Sequence, residues 1–378
     1  MTSTYDVVVI GAGAMGSAAA WALAERGRDV VVCEQFELGH VRGGSHGATR
    51  IFRVGSEQAE KVELALQAHR LWRELEEESG EALLRVTGAV EHGLEPSTAR
   101  AMSSLLDRWN IDHEVFDPAE ATRRWPTMRF ADTVLYQPGG GAIDADRAGA
   151  ALRRLAVSRG ARILAGQAAR RIQILDDARV RVELESGSVE AQAAVVTAGP
   201  WTPRLLAGLV DLPTITVTQE QPRFFAPVDA TRSWPSFVHW RRETGRWGRH
   251  ESYGLFEPGS GVKVGLHRSG SVVDPDERDF AVDPEVDEAL VAYVRHWFPG
   301  LDADRSTAIS CLYDNTETEE FVIDRLGPVT FATGFNGEGF KFVPAIGRLV
   351  RDLVIDRVIT PSRFSVAGHA GALTSRSR

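Results

Sequence analysis

Three sets of residues in this chain have the types and spacing for chemistry. The first is the run Gly11-Ala12-Gly13-Ala14-Met15-Gly16, followed 18 residues past Gly16 by the acid Glu34. Gly11 makes a tight turn, Gly13 lets backbone approach a pyrophosphate, and Gly16 allows a helix to pack closely on a strand, while Glu34 is placed to accept hydrogen bonds from ribose hydroxyls. The second set is defined by scarcity: the 43 basic residues include three lysines, Lys61, Lys263 and Lys341, leaving forty arginines. An ammonium is a compact charge and a guanidinium a broad planar fork, so a lysine kept in such a sequence can serve where arginine cannot. The third set is the two cysteines, Cys33 and Cys311. Two cysteines build no disulfide framework and fit a reducing cytoplasm. Cys33, between Val32 and Glu34 at a strand end, reads as core, whereas Cys311 lies in quite different surroundings.

A dinucleotide site needs a strand, a glycine loop and a helix in that order, with the helix N-terminus facing the phosphates. Residues 6–10 are apolar and β-branched, as a strand buried on both faces reads. The Ala-rich stretch 17–26 is a strong helix former that Gly27 ends, and 29–33 is a second strand closing on Glu34. Farther on, residues 58–77 carry Val62, Leu66, His69, Trp72 and Leu75 at helical spacing, so this is an amphipathic helix with His69 on its core face. Asp144 is a credible N-cap for a helix ending near Gly160. Strands at 171–175 and 180–185 form a meander returning through 193–197, and the small residues Ala198 and Gly199 before Trp201 suit close approach to a cofactor. From 214 to 275 the pattern is that of an antiparallel sheet, and 331–333 is a last strand entering a glycine-rich loop before a helix at 342–355. The expected fold is α/β: a discontinuous Rossmann-type dinucleotide-binding domain (1–80, 140–213 and 322–378), whose glycine pattern alone does not separate NAD from FAD, with an inserted α+β substrate domain on an antiparallel sheet (81–139 and 214–321). A chain of 378 residues exceeds the ~250–300 at which one core stops growing, as two packed domains require.

The formal charge of -9 argues against a general nucleic-acid binder. No signal peptide and no apolar run of about 18 residues is present, so a cytoplasmic protein without a membrane span is expected. No metal ligands are among the candidates.

The segment Gly44-Ser45-His46-Gly47-Ala48-Thr49-Arg50-Ile51-Phe52-Arg53 resembles the motif after the ribose-binding acid in the monomeric sarcosine oxidase and N-methyltryptophan oxidase family. Tyr253-Gly254, Lys263 to His267, Cys311-Leu312-Tyr313 and the loop from Gly334 through Gly337 and Gly339 to Lys341 are similar to its remaining motifs, in order and at similar spacing. The resemblance implies FAD, held by a thioether from Cys311 to the flavin 8-methyl group. It implies that Arg53 and Lys341 clamp the substrate carboxylate, a two-point contact that orients the reacting N–CH group. Lys263 is then the oxygen-activating lysine, His267 positions substrate, Arg50 covers the flavin face, and His46, Thr49 and Tyr253 line the cavity. The implied reaction takes a hydride equivalent from the carbon beside the nitrogen of a secondary amine, with O2 as the final acceptor and hydrogen peroxide as product. The nearest relatives imply a monomer.

The resemblance weakens at Val54-Gly55-Ser56, at Lys61, where a tyrosine is common, and at Glu338, where a histidine is common. Residues 239–250, rich in Arg and Trp, read as a hairpin, either solvated or touching a bulky aromatic or cyclic substrate through Trp240 and Trp247. A same-fold dehydrogenase with a non-oxygen acceptor and a non-catalytic flavin-binding subunit remain as rivals, with a nicotinamide-dependent enzyme a more distant one.

Overall fold

The computed structural model describes residues 3–241 and 251–376. Its first strand, Ser3–Ile10, is the centre of a sheet of eight strands. Parallel neighbours are Val30–Cys33 on one side and Gly187–Val196 on the other, with Arg162–Leu164 and Val329–Thr333 extending the parallel part. Alternate side chains explain why the strand reads as one apolar run. Val7 and Val9 pack toward helices Ala14–Glu25, Ala145–Ser158 and Val343–Ile355, while Val8 and Ile10 pack toward a second cluster with Val180 and Val182. The expected meander is present as the antiparallel strands Ala169–Asp176, Arg179–Leu184 and Gly187–Val196.

Local signals acted where physics places them. Asp144 caps Ala145–Ser158, its carboxylate accepting from the Arg147 amide. The amphipathic helix is Ala59–Ser79, with Val62, Trp72 and Leu75 buried. Leu66 and His69 are only half-buried; Lys61, Ala65 and Ala68 take the inner face instead. Small residues let this helix approach its neighbours, and the buried lysine has a partner described below.

The second large sheet also has eight strands and contains the expected antiparallel pairs around Arg223–Pro227, Ser252–Glu257 and Gly261–Leu266. One pairing departs from expectation: Ser236–His239 runs parallel to Ala89–Leu94. Ser236 and its register partner Ala89 are 147 residues apart in sequence, so no tight turn dictates an antiparallel arrangement. Two three-stranded sheets complete the fold, one of Thr49–Phe52, Gly141–Asp144 and Leu84–Val86, the other of Ser271–Val272, Ile215–Glu220 and Cys311–Thr316. Of the expected 239–250 hairpin, residues 242–250 lie outside the described residues, Trp247 among them.

Candidate active site

A cavity of about 810 Å³ runs from the glycine loop to the second large sheet. At its first end, Gly11 adopts φ +96°, and a Cβ on Gly16 would lie 1.8 Å from the Gly11 carbonyl oxygen. Neither position admits a side chain without moving backbone. The helix that follows has no side-chain cap from its own N-cap residue; Ser45 instead accepts from the Ala14 amide at 3.0 Å, bringing the Gly44-Ser45-His46 segment onto the helix N-terminus. Glu34 is buried, and its carboxylate accepts from the amides of Ala12 at 2.7 Å and Phe36 at 3.0 Å. Burial raises its pKa, but hydrogen bonds from His40, Ala12 and Phe36 outweigh that and keep the carboxylate below its usual range. Met15, Ala198, Gly199 and Trp201 line the same end, and the Trp201 indole is fixed by donation to Asp276 at 2.6 Å.

The middle of the cavity is cationic. Arg50 donates to the carbonyls of Gly44, His46, Gly47 and Thr49, which curls residues 44–50 around its guanidinium. Lys263, 5% exposed, projects from strand Gly261–Leu266 and donates to the Thr49 carbonyl at 2.6 Å, while Thr49 Oγ1 donates to the Glu257 carboxylate at 2.7 Å. Burial, then Arg50, push the Lys263 pKa down to about 7. His46 is pushed down to about 4 by burial and by Arg50, and its Nε2 is a buried nitrogen with no protein partner. Cys311 opens strand Cys311–Thr316 on the cavity wall; burial lifts its thiol to about 11 against the pull of Arg50, Lys263 and Arg278.

At the far end stand Arg53, Lys341, Tyr253, His267 and Tyr313. Arg53 is 9% exposed and donates to the Glu91 carboxylate at 3.1 Å and to the Gly55 carbonyl. Glu91 is fully buried and also accepts from Gln137 at 3.2 Å and Trp240 at 3.1 Å. Trp240 therefore stands behind Arg53 on the Glu91 side, and it is not among the residues lining the main cavity. Burial, then Arg53, lower the Lys341 pKa to about 8, with Glu338 opposing them. Tyr313 donates to the Tyr253 hydroxyl at 3.4 Å, and its ring centroid is 5.4 Å from that of His267.

All the site residues named from sequence line this cavity except Gly16 and Gly334, which shape its backbone from behind. Sequence reasoning missed the groups that hold the far end in place. Asp314, 8% exposed, accepts from the Gly334 amide at 2.7 Å, the Thr333 hydroxyl at 3.1 Å and the Phe335 amide at 3.3 Å, tying the strand of Cys311 to the loop of Lys341. Asn336, also buried, adopts φ +53° and donates to the Gly334 carbonyl at 2.7 Å. Glu91 was missed although it interrupts an apolar stretch after Val90, the one available signal of a charge destined for a partner.

A glycine cradle backed by a helix N-terminus, a ribose-ready acid and an orphaned histidine nitrogen fit an adenine dinucleotide carrying a redox ring into the cationic middle. The fold and site define a dinucleotide-dependent redox protein. Comparison with known proteins makes this specific: residues 6–353 match the FAD dependent oxidoreductase model, and the chain belongs to that family. It is 32% identical over 369 residues to a monomeric sarcosine oxidase of Bacillus sp. (strain NS-129), covering 93% of each chain. An N-methyl-L-tryptophan oxidase of Salmonella agona (strain SL483) is 29% identical over 375 residues, 96% of this chain and 98% of the relative. Among solved structures, the open form of NikD, an unusual amino acid oxidase essential for nikkomycin biosynthesis, matches with a TM-score of 0.86 and 26% identity, covering 97% of this chain and 98% of the other. Among the described residues no helix is long and apolar enough to cross a membrane.

Proposed function

We propose that this protein is an FAD-dependent oxidase that converts a secondary amino acid, N-methylated or cyclic, to its imine and passes the electrons to O2, yielding hydrogen peroxide. The observation that carries this reading is that Arg53, Lys341, His267, Lys263 and Cys311, drawn from four separate stretches of sequence, line one cavity continuous with the glycine cradle. FAD, when bound, would supply the two-electron acceptor for a hydride equivalent from the substrate carbon and the route of both electrons to O2.

Each residue has a bounded task. Arg53 and Lys341 hold the substrate carboxylate, fixing the N–CH group in one orientation. Burial of both cations excludes water from that contact and strengthens it. His267 and Tyr253 position the nitrogen end, and the substrate amine is held neutral beside these cations. Lys263 supplies a compact positive charge at the oxygen-reactive end, and Arg50 covers the flavin face. With FAD bound, Cys311 would provide the sulfur of a thioether to the flavin 8-methyl group, the two electrons and two protons released going to the flavin and then to O2; Arg50, Lys263 and Arg278 pull toward its thiolate although burial outweighs them. Segments 1–80, 140–213 and 322–378 hold the cofactor, 81–139 and 214–321 face the substrate, and the protein works as a cytoplasmic monomer.

Two measurements test this. Peroxide formation from N-methyl and cyclic amino acids, compared with turnover on an artificial acceptor, separates oxidase from dehydrogenase; turnover only on the artificial acceptor refutes the oxidase reading. Acid-denatured protein run on a gel should retain flavin fluorescence that Cys311→Ala abolishes, and free FAD in the wild-type supernatant removes Cys311 from its proposed role.

A further inference from the structure

Two of the positions where the resemblance weakens, Lys61 and Glu338, meet in space although 277 residues separate them in sequence. Lys61 Nζ lies 3.4 Å from Glu338 Oε2 and 5.3 Å from the centre of the Phe321 ring. Glu338 Oε2 is also 3.9 Å from Lys341 Nζ, one arm of the carboxylate clamp. Lys61 is 8% exposed and stands behind the wall, whereas Glu338 lines the cavity.

The arrangement can be read as a count of charge. Three cations, Arg53, Lys61 and Lys341, share this end with the carboxylates of Glu91 and Glu338, each lying within 4 Å of a cation. With Glu251, which burial and Glu338 push up to about 7, in its protonated form, one positive charge is left over. Glu251 lines the same space, and His267 faces it too. A substrate carboxylate takes the spare charge, and a second carboxylate finds none left and meets Glu338 instead.

Resting on the functional reading above, we propose that Glu338, fixed by Lys61, is a specificity-determining residue that restricts substrates to one carboxylate and rejects dicarboxylic amines. Supporting it, Lys61 and Lys341 hold the Glu338 carboxyl down at about 2 although burial opposes them, so the wall is anionic at every working pH. Burial and Glu338 push Glu251 up to about 7, in keeping with a space that disfavours a further anion. Rejection of the wrong ligand by like charge is a common route to specificity.

The test uses the flavin-loaded protein at pH 6.5. Calorimetric titration with propionate and with succinate reads the filter without turnover, and kcat/KM for N-methylalanine against N-methylaspartate reads it in catalysis. Wild type should favour the monocarboxylate at least ~10-fold in both, the size of one like-charge contact a few ångströms away at a partly screened site. Glu338→Gln should shrink that preference by at least ~10-fold, and Glu338→His, which restores the family residue, should do the same if the glutamine variant folds poorly. Equal binding of propionate and succinate by wild type, or an unchanged preference in both variants, overturns the proposal. Failure of every N-methyl amino acid to reduce the flavin would instead sink the functional reading, and the carboxylate titrations would still decide the charge filter.

Discussion

Replacing Arg53 with Met separates its two roles, because its structural partner is known. Arg53 neutralises Glu91, which is fully buried and would keep only Gln137 and Trp240 as donors. Leaving one member of a buried pair ionised and alone costs about 3–5 kcal/mol, so Arg53→Met should lose up to that much stability where Glu91 is ionised in the unfolded chain. Burial already raises the Glu91 pKa above its usual value despite Arg53, and without the guanidinium it rises further. A carboxyl whose folded pKa exceeds its unfolded one gives stability that is full at low pH and lost as pH rises. The Arg53→Met defect should therefore be small near pH 5 and grow toward pH 8 in urea titrations. Adding Glu91→Gln removes the orphaned charge, and the double variant should recover most of the stability. Substrate binding should not recover, because the clamp still lacks one arm; kcat/KM for an N-methyl amino acid should stay about 10²–10³-fold below wild type. Recovery of kcat/KM together with stability would refute the assignment of Arg53 to the substrate and leave it a purely structural cation.

Three further outcomes follow from the same geometry. Lys263→Met should slow reoxidation of reduced enzyme by O2 about 10²–10³-fold, the effect of removing one oriented charge from a developing anion, while anaerobic reduction by substrate changes far less. Because burial and Arg50 hold Lys263 near 7, wild-type reoxidation should be fastest below that pH and fall as pH rises through it; a rate flat from pH 6 to 9 in stopped flow contradicts this. Asp314→Ala should cost about 1–3 kcal/mol by orphaning the Gly334 amide and should raise KM by loosening the loop of Lys341, checked by thermal melts and steady-state kinetics.

The cofactor end was legible because its chemistry is local. Gly11 to Gly16 and Glu34 lie within one strand-loop-helix-strand unit, where spacing alone dictates geometry. Helix boundaries were readable where a cap or a glycine fixed them, as at Asp144. The substrate end depends on contacts between residues far apart in sequence, which periodicity does not report. Lys61 lay outside the helix face read as apolar, and only folding shows that it is buried and meets Glu338. Glu91 and Asp314 act by holding other residues, so nothing in their own neighbourhood announces a role. The parallel pairing of Ser236–His239 with Ala89–Leu94 escaped notice for the same reason.

The most direct test of the central claim is anaerobic mixing of the flavin-loaded protein with an N-methyl amino acid such as sarcosine or N-methylalanine, followed by admission of O2. Oxidised-flavin absorbance should be lost without oxygen and return on aeration, with one hydrogen peroxide formed for each substrate consumed. A flavin that stays oxidised with every secondary amino acid, cyclic ones included, would contradict the claim.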